Sequence, residues 1–271
     1  MADVLQTAAE VQGRPALRAA LAGLLYQMAD DELVIGHRDS EWLGVGPEIE
    51  EDVAFSSISQ DEVGHAVFCY RLLADLGEGD SDSLAFERPA SARRNALLTE
   101  RGNGDWAFTI ARHYFYDTFD RIRLEALSQS SYEPLRQGVV KMMREEYYHG
   151  LHVGTWFRKL AIAGGEAKER LQRAVDTLWA DIDDLFALGA VESELLAAGI
   201  LSTSTAAWKQ TWLAAVTAMM ETVGLKVPAA GVETVRQEGV EAWSRLHHSP
   251  ALEDLLATMN EVRDLDRAAV W

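Results

Sequence analysis

Two stretches of this chain set a carboxylate and an imidazole three residues apart, Glu62-Val63-Gly64-His65 and Glu146-Tyr147-Tyr148-His149. Residues at that spacing share one face of an α-helix, so each stretch can turn both donors toward one ion. Oxygen and imidazole donors together suit iron or manganese, whereas zinc takes fewer oxygens and often thiolate. Further carboxylates stand about one helix hairpin upstream of each stretch. Glu32 precedes Glu62 by 30 residues and Asp117 precedes Glu146 by 29. Two repeated helix pairs would produce such near-equal spacing. Asp31 competes with Glu32, while Asp120 and, less comfortably, Glu125 compete with Asp117. An aspartate there would also be a shorter ligand than a glutamate.

The helices that must carry these groups are amphipathic in the same sense. Glu32 continues the stripe Leu21, Leu25, Met28, Ile35. Phe55, Ile58, Glu62, His65, Cys69 and Leu72 form a second stripe. Val139, Met142, Glu146, His149, Val153 and Phe157 form a third. A carboxylate on an apolar stripe is costly to bury unless something pairs with it, and a metal ion supplies that pairing. One Glu-x-x-His alone is common in helical proteins. Two copies with matched upstream carboxylates carry the reading. In ferritin-like di-iron proteins two helices bear such motifs and two others give one carboxylate each. The expected fold is therefore an all-α, ferritin-like helical bundle with additional C-terminal helices. Its expected metal ligands are Glu32, Glu62, His65, Asp117, Glu146 and His149, holding two iron ions, with manganese as the other candidate.

Periodicity and punctuation place the elements. Helices are expected over Pro15–Arg38, from Pro47 to about Leu76 with a stop at Gly77, and over Ala90–Glu100. A polar loop is expected from Gly77 to Ser83. Gly102-Asn103-Gly104-Asp105 makes Asp105 an N-cap for a helix reaching about Ser128. Pro134 begins another that ends at Gly164-Gly165. Later helices are expected near 167–187, 204–223, 230–245 and Pro250–Arg267. No strict alternation indicates a sheet, and no boundary marks a second domain. One helical domain over 1–271 is expected, with 200–271 as a C-terminal extension. The remaining histidines read as surface or packing residues, and Tyr114, Tyr116, Tyr147, Tyr148 and Trp156 as core.

Composition narrows the partners. The chain has 25 basic and 43 acidic residues, a net charge of −18, which argues against nucleic acid because phosphates need cations. No apolar run reaches the roughly 18 residues of a membrane span. The single cysteine, Cys69, excludes an internal disulfide, and no cleavable leader is apparent, so a cytoplasmic setting is expected.

Several segments bear a further likeness. They are Glu41-Trp42-Leu43-Gly44, Pro47-Glu48-Ile49-Glu50-Glu51-Asp52 and Gly64-His65-Ala66, then Ile110 through Asp117, Tyr148-His149 and the closing Trp271. Through them the chain resembles the phenylacetic acid degradation proteins of the PaaA/PaaC type, most closely the C-type component of phenylacetyl-CoA epoxidase. The resemblance implies a multicomponent oxygenase of phenylacetate catabolism. In it a reductase delivers electrons, a di-iron core activates O2, and one oxygen atom enters the aromatic ring of an acyl-CoA substrate. It implies a homologous A-type component as partner, in a homo- or hetero-oligomer. It also implies that C-type components are structural supports that usually lack a full ligand set. This chain departs from that pattern by keeping all six candidates. If the site is active, Glu62 and Glu146 are the expected catalytic, bridging carboxylates. His65 and His149 would each hold one iron, with Glu32 and Asp117 terminal. The alternative is a non-catalytic subunit that orients a catalytic partner. Iron storage and a radical-bearing subunit are weaker readings, since ferritin chains are much shorter and no feature beyond the fold favours a radical.

Overall fold

The computed structural model describes residues 4–229 and 245–267. Among them the chain is helical throughout: α1 (Ala8–Gln12), α2 (Pro15–Ser40), α3 (Ile49–Asp75), α4 (Ser81–Phe86), α5 (Leu97–Glu100) and α6 (Trp106–Leu127) are followed by α7 (Glu133–Ala163), α8 (Gly165–Leu178), α9 (Ile182–Leu185), α10 (Glu192–Ala197), α11 (Thr205–Thr222) and α12 (Pro250–Leu265). The only β feature among the described residues is an isolated bridge between Leu5 and Tyr132. None of the described helices is long and apolar enough to cross a membrane.

The long helices follow the sequence expectation closely. Asp105 caps α6 by accepting from the Phe108 amide at 2.9 Å, and Gly77, at φ +83°, ends the turn after α3. Four expectations need correction. α3 starts at Ile49, not Pro47, because Glu48 is the N-cap and Asp52 accepts from the Gly46 amide at 2.9 Å. The loop expected through Ser83 ends earlier, since Asp80 accepts from the amides of Asp82 and Ser83 and starts α4. Instead of a helix over Ala90–Glu100 there is a 3-10 turn at Ala90–Ala92, an extended stretch, and α5. The amides of Arg94 and Ala96 donate to Asp30 and Asp31 of α2 at 2.8 and 2.7 Å, which takes them out of any helical ladder. The helix near 167–187 is broken by a 3-10 turn at Trp179–Asp181. The helix expected at 230–245 lies outside the described residues but for Arg245, and Trp271 lies outside them too.

The chain divides into two compact units, Met1–Leu24 with Asn103–Ser244, and Leu25–Gly102 with Arg245–Trp271. The first is built on α6 and α7, with α8 and α11 packed on α6. Its core is aromatic. Phe115, Trp179 and Trp212 meet at centroid distances of 5.4 to 5.8 Å, and the Trp212 indole donates to the Phe115 carbonyl at 2.9 Å. Tyr114 stacks on Phe157, and Tyr116 and Trp156 are buried as expected. Tyr147 and Tyr148 are not core residues: they stand 64 % and 68 % exposed, on the outer side of α7.

The second unit is held by charge as well as by apolar packing. Val34 meets Leu252, Leu255 and Leu256 in one cluster. Beside it, Asp30 of α2 accepts from Tyr70 Oη at 2.6 Å and pairs with the guanidinium groups of Arg88 and Arg93. Burial works against the ionised Asp30 carboxylate, but the two guanidinium groups and the Tyr70 hydroxyl outweigh it and hold its pKa below the ordinary value.

Candidate metal centre

In the second unit the metal-facing geometry begins with a glycine. Gly36 lets α2 approach α3 so closely that a Cβ there would lie 2.9 Å from Glu62 Cβ and 3.2 Å from the Ser59 carbonyl. Ser59 Oγ donates to the Gly36 carbonyl at 2.7 Å across the same crossing. Glu32 lies one helical turn before Gly36, and His65 lies three residues after Glu62, so all three side chains converge. Each is buried, and each offers a ligand atom within 4.8 Å of the others. His65 Nδ1 is 3.6 Å from Glu32 Oε2 and 3.7 Å from Glu62 Oε2. Those separations are long for hydrogen bonds. They suit donors that share an ion, since two ligands each about 2.1 Å from a metal stand at most about 4.2 Å apart.

The electrostatics agree. Burial disfavours a charged imidazole at His65, yet the carboxylates of Glu32 and Glu62 overcome it and push its pKa up to about 12. Without a cation, the site takes up a proton on His65. A metal ion would displace that proton and supply the positive charge the two carboxylates call for.

The first unit carries the second Glu-x-x-His motif and Asp117. Glu146 and His149 are buried on α7, with His149 Nδ1 3.1 Å from Glu146 Oε1. Asp117 is buried on α6, its Oδ1 3.1 Å from His113 Nδ1, and its Oδ2 makes no hydrogen bond. The apolar stripes around both motifs are buried as well, with Met28, Phe55, Val139 and Val153 fully so. The donors therefore fit hard, divalent iron or manganese: carboxylate oxygens and imidazole nitrogens in dry surroundings.

The structure also places the competing carboxylates. Asp31 forms an ion pair with Arg245 at 2.7 Å and accepts from the Ala96 amide. Asp120 is held by the guanidinium of Arg123, which also donates to Tyr116 Oη at 3.1 Å. Glu125 is exposed and pairs with Arg121. Sequence reasoning passed over His113, Arg123 and Arg245 as partners of these acids. The first two were within reach, four residues before Asp117 and three after Asp120 on one helix. Arg245 lies 214 residues from Asp31 and leaves no local signal.

Comparison with known proteins adds an independent line. A family model described as Phenylacetic acid catabolic protein matches residues 4–271. The chain is 30 % identical over 236 residues to the C-type component of 1,2-phenylacetyl-CoA epoxidase of Escherichia coli (strain K12), covering 87 % of this chain and 94 % of that protein. It is 24 % identical over 165 residues to the A-type component of the same epoxidase from the same organism, covering 60 % of this chain and 53 % of that one.

Proposed function

The chain belongs to the phenylacetic acid catabolic protein family, and from that membership we propose that it is a metal-loaded subunit of a multicomponent phenylacetyl-CoA epoxidase. The observation that carries the metal reading is the convergence of the buried Glu32, Glu62 and His65, whose ligand atoms lie within 4.8 Å of one another. Glu32, Glu62, His65, Asp117, Glu146 and His149 would hold two iron ions. The Arg245 and Arg123 ion pairs occupy Asp31 and Asp120, which supports Glu32 and Asp117 as the ligands. When bound, a ferrous pair would supply the two electrons that O2 needs to place one oxygen atom in the substrate ring. The chain's own residues do the rest. His65 would give up its proton to coordinate the ion, and the buried Met28, Phe55, Val139 and Val153 would help keep water from the donors. A reductase would restore the electrons, and a homologous A-type component would complete the oxygenase.

The test starts with the purified chain, expressed without partners in iron-replete medium. About two metal ions per chain are expected, lost in Glu62→Ala while the helical signal persists. A well-folded chain without metal would overturn the metal reading. A second reading, a non-catalytic support for a catalytic partner, is favoured by the fuller match to the C-type relative than to the A-type one. Glu62→Ala/His65→Ala in the reconstituted complex separates the two. Loss of epoxidation supports a catalytic role here, and an unchanged rate assigns catalysis to the partner.

A further inference from the structure

The two buried aspartates of α6 are partnered in different ways. Asp120 has the guanidinium of Arg123, which brings a full positive charge. Asp117 has an imidazole. His113, one turn earlier on the same helix, sets its Nδ1 3.1 Å from Asp117 Oδ1. His113 is fully buried and Asp117 is only 4 % exposed, so little water can compete for that contact. The other carboxylate oxygen, Oδ2, is buried and makes no hydrogen bond. Leaving a buried acceptor unsatisfied costs free energy, and the chain keeps one here.

The turn that carries both residues is held firmly. Between them lies Phe115, whose ring packs against Trp179 and Trp212 and whose carbonyl accepts from the Trp212 indole at 2.9 Å. Tyr114 stacks on Phe157 at 4.3 Å, and Tyr116 is fully buried. With the backbone fixed in this way, the direction of the Asp117 carboxylate is left to its own two side-chain torsions.

We propose that His113 is a positioning residue: it donates from Nδ1 to Asp117 Oδ1 and so fixes the carboxylate with Oδ2 open to a metal ion. This rests on the metal reading above, in which Asp117 is a ligand, and adds a residue that is not one. A metal-bound carboxylate carries no proton, so the hydrogen of the contact sits on the imidazole. A neutral imidazole fills that role without cancelling the charge of the carboxylate, which a guanidinium would do. The contact also engages the oxygen that would otherwise make the aspartate bidentate, and so favours binding through Oδ2. The pairing of each aspartate thus matches its role: Arg123 neutralises Asp120, whereas His113 aims Asp117.

The experiment compares His113→Asn with His113→Leu in the full chain. The asparagine amide nitrogen stands where Nδ1 stands, so a donor is kept although volume is lost. Leucine keeps more of the volume and donates nothing. Titration with Co2+, followed by its visible absorption bands, reads the donor set, and the helical signal reads the fold. The unsubstituted chain should take up about two Co2+. His113→Leu should weaken one of them by about 10- to 100-fold and shift its bands. His113→Asn should keep both ions and both sets of bands. A residue that only packs gives the opposite order, leucine ahead of asparagine, because leucine leaves the smaller cavity. That order would overturn the proposal, as would two ions held equally well by His113→Leu while Asp117→Asn loses one. Should His113→Leu not fold, His113→Asn decides alone, and loss of an ion there counts against the proposal. If Asp117→Asn keeps both ions, there is no ligand to position, and the proposal fails with the metal reading intact. An unsubstituted chain that takes up no Co2+ overturns the metal reading itself, and the role of His113 falls with it.

Discussion

Gly36 and Gly64 are both helical glycines near the candidate metal ligands, and the structure separates them sharply. A Cβ at Gly64 meets nothing within 4 Å, whereas one at Gly36 lies 2.9 Å from Glu62 Cβ and 3.2 Å from a backbone carbonyl. Replacing either by alanine removes the entropic cost of a helical glycine, a gain of roughly 0.5–1 kcal/mol. Gly64→Ala should keep that gain. Gly36→Ala should lose it and more, because neither neighbour is the free end of a flexible side chain and overpacking costs about 1–3 kcal/mol. The two variants should thus differ by roughly 1–3 kcal/mol, or several degrees in melting temperature at about 2–4 °C per kcal/mol for a chain of this size. The functional effect is larger than the stability suggests. Relieving the contact displaces Glu62 from Glu32 by about 0.5 Å, the tolerance within which ligands must be held. Iron affinity should fall by about 10- to 100-fold, the range seen when groups that support a ligand are altered. Urea unfolding and metal titration of both variants decide it. If Gly36→Ala matches Gly64→Ala in both, α2 and α3 do not approach as described and the reasoning fails.

Other perturbations probe separate parts of the molecule. Because His65 holds a proton up to about pH 12 in the metal-free protein, a divalent ion must displace it, and Co2+ affinity should rise about tenfold per pH unit from 6.5 upward. A flat profile between pH 7 and 9 would refute that. The same raised pKa means that the His65 contribution to metal-free stability is full below about pH 6.5 and is lost as pH climbs toward 12, which urea midpoints across that window would report. Arg245→Ala leaves the buried Asp31 carboxylate without its guanidinium and should cost about 3–5 kcal/mol, most of it recovered by adding Asp31→Asn. Equal stability of the single and double variants would show that the pair does not form. Asp117→Asn should lower metal content with little change in melting, while Asp120→Asn, which breaks the buried pair with Arg123, should do the reverse. Metal analysis beside thermal unfolding would expose an exchange of those roles.

The long helices were legible in the sequence because their signals are local. An apolar residue every three or four positions, Asp105 before α6 and Gly77 after α3 act within a turn or two of themselves. The same locality gave the two Glu-x-x-His motifs, since three residues on a helix fix a shared face whatever packs around it. Local signals misled where a distant group intervened. Ala90–Glu100 has helical composition, yet Asp30 and Asp31 claim the amides of Arg94 and Ala96. Tyr147 and Tyr148 look like core residues by type, and only the burial of Glu146 and His149 on the opposite side of α7 turns them outward.

The sequence by itself determined the fold class, the resemblance to a family and the two motifs, all of which follow from residue type and spacing along one helix. The tertiary structure decided which neighbouring acid is held by an arginine. Asp31 and Glu32 are adjacent in the chain, and Asp120 stands one turn from Asp117, so spacing alone does not separate them. Arg245 and Arg123 do, by occupying one acid of each pair with a buried guanidinium. A buried carboxylate needs a cation, and only the folded chain shows which of them already has one.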